Sequence, residues 1–222
     1  MDGSPPGRYS HGRMIAERPT TIDVSADVTL DARLALPPGA RAGVVLCHPH
    51  PLYGGDMDSG VVTRAAEACA RAKVATLRFN FRGVGASTGR HDDGRGEQED
   101  VRAAVAALHH HLPADGRVAL AGYSFGAAVA CAVAGALPVA GLLLVAPPLR
   151  LRSLPPPAAV VGPVLVVVGA EDQYCPADAL DGLRDTLPQA TITVIEGADH
   201  FFFGSLEPLA AAVGGWAAAV AA

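Results

Sequence analysis

Gly122-Tyr123-Ser124-Phe125-Gly126 stands between the apolar, strand-length run Arg117-Val118-Ala119-Leu120-Ala121 and the small or apolar residues 127–136. A serine between two glycines, where a buried strand turns into a helix, is the pattern of a nucleophile elbow. Such a turn brings neighbouring backbone close to the serine, so a side chain at either glycine would clash. It also sets the hydroxyl at a helix N-terminus, where free N–H groups and the helix dipole favour a developing oxyanion.

A serine hydroxyl attacks only when a base takes its proton and a third group orients that base. In elbow-bearing chains the order is serine, then acid, then histidine. Downstream, Pro163-Val164-Leu165-Val166-Val167-Val168-Gly169 reads as a buried strand and is followed by Ala170-Glu171-Asp172-Gln173-Tyr174. Thr191-Ile192-Thr193-Val194-Ile195 reads as another, followed by Glu196-Gly197-Ala198-Asp199-His200-Phe201-Phe202. An acid and a histidine each follow a strand, in the required order.

These three segments resemble the catalytic segments of the α/β-hydrolase superfamily. Cys47-His48-Pro49-His50-Pro51-Leu52-Tyr53-Gly54-Gly55 and Asn80-Phe81-Arg82-Gly83-Val84-Gly85-Ala86-Ser87 narrow the resemblance to small, lidless bacterial serine hydrolases, dienelactone-hydrolase-like or carboxylesterase-like. The resemblance runs from about Ala42 to the C-terminus. It implies Ser124 as nucleophile, His200 as general base and acid, and Asp172, four residues before Pro176, as the orienting acid; Glu171 is the adjacent rival. It implies the Phe125 N–H as one oxyanion donor. The third residue of the family's His-Gly-x loop maps to His50 as the second, with Pro49 where the family has glycine. Members with a lid insert it after the strand equivalent to Val139–Val145. Here only Ala146 to Pro163 intervenes, and Pro155-Pro156-Pro157 disfavours a helix, so an open site is expected. The implied reaction is cleavage of small-molecule carboxylic esters through an acyl-enzyme, without a cofactor. A thioesterase, acyltransferase or peptidase would use the same triad. A hydrolase-like binding module without activity is the reading from a different class.

From residue 42 onward strands and helices alternate, as in a parallel sheet with crossover helices. Near-continuous apolar runs mark strands at Ala42–Cys47, Val74–Phe79, Arg117–Ala121, Val139–Val145, Val164–Gly169 and Thr191–Ile195. Thr20–Val24 and Val28–Leu36 add an antiparallel pair at one edge. Helices fit at Ser59–Ala72, Glu97–Leu112, Ser124–Ala136, Pro176–Leu187 and Ser205–Ala221. The expected fold is therefore α/β: an α/β-hydrolase sheet of about eight mostly parallel strands, helices on both faces and no lid domain. Residues 14–222 form the single domain and Met1 to Arg13 a flexible leader.

Composition narrows the classes further. Hydrophobic residues are 50% and charged residues 18% of the 222, which suits one folded domain. A formal charge of −5 offers no footprint for nucleic acid. No apolar run reaches membrane-spanning length and the N-terminus lacks an apolar core, so the cytoplasm is expected. The four cysteines fit neither a zinc site nor a disulfide framework. His48 and His50 lack a third ligand at metal spacing. Gly83, Gly85 and Gly89 miss the dinucleotide pattern by one residue. His109, His110 and His111 read as a solvated helix end, Asp199 as a loop carboxylate, and Arg82 as a loop-bracing ion pair. Leu52, Tyr53, Met57, Tyr123, Pro147, Tyr174 and Phe201 follow strand ends, where open α/β sheets bind ligands, and of these Leu52, Tyr53, Tyr123, Tyr174 and Phe201 are the expected substrate-binding side chains.

Overall fold

The computed structural model describes residues 16–222; the expected leader lies outside them. Eight strands form one sheet: β1 (Arg18–Asp23), β2 (Thr29–Ala35), β3 (Ala42–Cys47), β4 (Ala75–Phe79), β5 (Arg117–Tyr123), β6 (Leu142–Val145), β7 (Val164–Gly169) and β8 (Ala190–Ile195). Their spatial order is β1-β2-β4-β3-β5-β6-β7-β8. The β1–β2 and β2–β4 pairs are antiparallel, and every other neighbour is parallel. This is the open, lidless α/β-hydrolase arrangement that the strand pattern implies.

The period-two geometry of a strand sends alternate residues to opposite faces. Along β6, Leu142 and Leu144 enter one core, while Leu143 and Val145 enter the other. The first core is closed by α2 (Gly96–His109), α3 (Phe125–Val133) and α4 (Ala177–Thr186). The second is closed by α1 (Gly60–Arg71) and α5 (Leu206–Ala221). Covering both faces is why β3, β5, β6 and β7 read as near-continuous apolar runs rather than alternating. Among the described residues no helix is long and apolar enough to cross a membrane.

The strand expected from Val139 starts only at Leu142. Val139 instead makes an isolated parallel bridge to Val160, and Gly162 lies against the carbonyl of Ala140. That contact occupies the backbone ahead of the ladder, which opens at Leu142 paired with Val164. The helix expected from Ser124 begins at Phe125, because Ser124 takes φ 54° and ψ −116°. The helix expected to reach Leu112 ends at His109, where tighter backbone bonds from His111 to Leu108 and from Leu112 to His109 close the chain into turns.

Among the described residues, Arg78 is the charged strand residue that is buried. Arg78 on β4 donates to Glu17 at 2.8 Å and to the Met57 carbonyl at 2.9 Å, and it also meets Asp58. Cys47, Cys69, Cys131 and Cys175 are all buried and unpaired. Burial pushes the thiols of Cys69, Cys131 and Cys175 up to about 12, and that of Cys47 higher still.

Leu144 is fully buried on β6, an inner strand of the sheet. Leu144→Ala is expected to cost about 2–5 kcal/mol, since the lost contacts leave a cavity that the sheet cannot close. Urea unfolding would show this as a lower midpoint at an unchanged slope.

Candidate active site

The turn after β5 is built from backbone contacts that admit no side chain. A Cβ on Gly122 would lie 2.2 Å from the Gly126 carbonyl oxygen, and one on Gly126 2.4 Å from that of Cys47. Both obstacles are main chain, so neither position yields. Ser124 is held between them at positive φ, which costs a non-glycine residue roughly 1–3 kcal/mol. The same approach presses the first turn of α3 onto the loop after β3.

A third glycine joins two further loops. A Cβ on Gly169, the last residue of β7, would lie 2.2 Å from the Ala198 carbonyl oxygen. Just beyond, the N–H groups of Ala170 and Glu171 donate to Ile195 and Ala198 at 3.0 and 2.9 Å. The loop after β7 is thus fastened to the loop after β8, which fixes Asp172 and His200 relative to each other.

These loops bring Ser124, His200 and Asp172 into one line. His200 Nε2 lies 3.0 Å from Ser124 Oγ. His200 Nδ1 lies 2.8 and 3.0 Å from the two Asp172 oxygens. A carboxylate at Nδ1 fixes the tautomer, so the proton sits there and Nε2 accepts from the hydroxyl. Asp172 is buried and takes two more hydrogen bonds, from the N–H groups of Tyr174 at 2.8 Å and Cys175 at 3.1 Å. Glu171 is exposed and its carboxylate makes no hydrogen bond to His200. Asp199 accepts from Phe201 and Phe203 N–H groups at 3.0 and 3.3 Å and braces the turn that presents His200.

The loop after β3 is held by His48, which is fully buried. Phe81 N–H donates to its Nε2 at 3.0 Å, so the proton is on Nδ1, where it donates to the Pro49 carbonyl at 2.6 Å. Burial pulls the imidazole down to about 4; the bond to Pro49 and the charges of Asp56 and Glu97 oppose this more weakly. His50 caps the short Pro51–Tyr53 turn, its Nδ1 accepting from Leu52 N–H at 3.2 Å. Its ring lies 4.9 Å from that of Phe125. Among the described residues, neither the His50 nor the Phe125 N–H is donated to a protein acceptor. Arg82 pairs with buried Asp100 at 2.7 Å and ties the loop after β4 to α2.

The expected substrate-binding residues divide into two groups. Leu52, Tyr53 and Phe201 are exposed on loops bordering Ser124, and Tyr174 is half-buried 4.7 Å from the His200 ring. Tyr123 departs from expectation. It is buried beneath the site and its hydroxyl donates to the His200 carbonyl at 3.0 Å, so it supports the histidine loop rather than lining a pocket. The alternation of β5 carries the reason, because Tyr123 points into the core closed by α1 and α5. Met57 and Pro147 are also buried, Met57 through backbone bonds to Asn80 and Arg78. Among the described residues no group of His, Cys, Asp or Glu could hold a metal ion.

Residues 40–208 match the family model of the alpha/beta hydrolase domain. A lidless α/β serine hydrolase of Xanthomonas campestris is 35% identical in sequence and superposes with a TM-score of 0.78 over 89% of this chain and 91% of that one. An α/β serine hydrolase homologue of Coxiella burnetii is also 35% identical, with a TM-score of 0.77 over 89% of this chain and 95% of that one. An uncharacterized protein of Rickettsia prowazekii is 33% identical over 81% of this chain and 79% of its own length.

The buried His48 makes stability depend on pH. Between about 6.5 and 4 the unfolded chain binds a proton at this residue that the folded chain refuses, so stability falls as pH is lowered through that window. The full loss is about 3 kcal/mol. Urea unfolding at several pH values, compared with His48→Gln, measures it; an equal slope in the variant would assign the effect elsewhere.

Proposed function

This chain belongs to the alpha/beta hydrolase domain family, and we propose that it is a lidless serine hydrolase that cleaves carboxylic esters of small molecules. The observation that carries the reading is the continuous hydrogen-bond line Ser124–His200–Asp172, with Ser124 set at positive φ between glycines. Ser124 Oγ attacks the acyl carbon as His200 Nε2 takes its proton. Asp172 keeps the imidazole in the accepting tautomer and stabilises the imidazolium that forms. The N–H groups of Phe125 and His50 hold the oxyanion. His200 then returns the proton to the alcohol as it leaves, forming an acyl-enzyme, and activates a water that releases the acid.

The connector from Ala146 to Pro163 contains no helix. Leu52, Tyr53, Tyr174 and Phe201 therefore border a substrate that enters from solvent. The lidless serine hydrolase of Xanthomonas campestris supports this reading.

A fluorophosphonate probe is expected to label Ser124 alone, and Ser124→Ala to lower kcat by about 10⁶. Peptide mapping of the labelled protein checks the first, and p-nitrophenyl butyrate turnover the second. Retention of a tenth of wild-type turnover would reject the nucleophile. Asp172→Asn is expected to cost about 10⁴ in kcat by mis-setting the histidine tautomer. Glu171→Gln should stay within about threefold, the ordinary result for an exposed position away from the site. Reversed effects in the same turnover assay would move the orienting acid to Glu171.

A further inference from the structure

We infer that Arg152 makes this site selective for esters that carry a carboxylate; the inference rests on the serine-hydrolase reading above. Arg152 lies on the connector between β6 and β7, where its N–H donates to the Pro148 carbonyl at 3.1 Å. Its guanidinium carbon stands 5.6 Å from the centre of the Phe125 ring. Phe125 follows the nucleophile directly, and its N–H is one of the two assigned to the oxyanion. The Phe125 ring thus lies between this cation and the His50 ring, which is 4.9 Å from it on the other loop of the site.

Arg152 is an exposed residue with one guanidinium nitrogen beside Gly94 and, among the described residues, forms no salt bridge. Arg33, Arg64, Arg78, Arg82, Arg102 and Arg184 each have one. Of the two acids on the neighbouring loop, Glu97 is already engaged by backbone and Asp93 is exposed. Glu97 lies 2.8 Å from His91 Nδ1 and accepts from the N–H groups of Asp92 and Gly94, while Asp93 lies 3.3 Å from His91 Nε2. His91 itself is only 10% exposed, and neither ring nitrogen makes an aligned hydrogen bond. Its ring lies 5.1 Å from that of His50 and 5.5 Å from that of Phe125. His50 is held below the ordinary histidine range first by burial and then by the positive charges of His91 and Arg152, with Asp93 and Glu97 opposing them.

An arginine resting on an aromatic face is held there while its planar fork keeps donors free for a partner. That fork matches a carboxylate, and a charge-assisted pair there orients the ester without taking part in bond breaking. The position is open to water, so the gain is modest and falls with salt.

Two matched pairs of esters test this and tell which half of the substrate carries the charge. Mono-p-nitrophenyl glutarate against its methyl ester varies the acyl side, and p-acetoxybenzoate against its methyl ester varies the alcohol side. In at least one pair Arg152→Ala should lower the acid-to-neutral ratio of kcat/KM by about five- to tenfold, mostly through KM. Arg152→Lys should lose less, and half-molar salt should narrow the wild-type ratio. Arg150→Ala, also exposed on this connector, should keep the ratio within about twofold, as a charge without a specific contact does. A ratio unaffected by Arg152→Ala in both pairs overturns the inference while leaving the hydrolase standing. Failure of the wild type to turn over any of the four esters overturns the serine-hydrolase reading, and this inference with it.

Discussion

The close approach of main chain to main chain at Gly126 is the constraint on which the site depends. The first turn of α3 sits so near the carbonyls of Cys47 and His48 that no Cβ fits between them. This contact joins the loop after β3 to the elbow after β5, neighbouring strands in the sheet. Without it, the Phe125 and His50 N–H groups would have no fixed relation to Ser124. Gly169 does the same for the loops after β7 and β8. In both places a missing side chain sets the geometry, and the functional side chains are carried on loops joined by those contacts.

Polar groups beneath these loops do a complementary task. His48, Asp100, Glu97 and Asp172 are all buried, and each is engaged: His48 by Phe81 and Pro49, Asp100 by Arg82, Glu97 by two backbone N–H groups, Asp172 by His200 and two more. A buried polar atom left without such a partner costs about 1–3 kcal/mol. A loop that carries one is therefore confined to conformations that satisfy it. Pro49 and Pro51 act alongside them by restricting φ in the segment around His50.

Much of this was legible in the chain. The inner parallel strands are mainly apolar because both faces are covered, and Ser124, Asp172 and His200 stand out because each follows a strand-length apolar or β-branched run. Glu171 and Asp172 could be separated only by resemblance, since adjacent residues share one loop; the structure turns Asp172 toward His200 and leaves Glu171 in solvent. Tyr123 could not be placed, because an elbow pattern does not say which face of the strand its neighbours take. The start of β6 was missed because Val139, Ala140 and Gly141 are as apolar as the strand residues after them; the bridge to Val160 that displaces them is a tertiary contact. Arg152 carried no signal at all, since its connector has neither period nor motif.

The four buried cysteines separate two chemistries within one molecule. With their thiols held far above neutral and shut away from solvent, almost no thiolate forms at working pH. Electrophiles aimed at sulfur find no ready target in the folded protein, whereas Ser124 Oγ lies within hydrogen-bond distance of His200. A cysteine placed on the exposed rim, at Leu52 or Leu151, would become the single reactive thiol. A reporter attached there could follow substrate entry while the serine stays free.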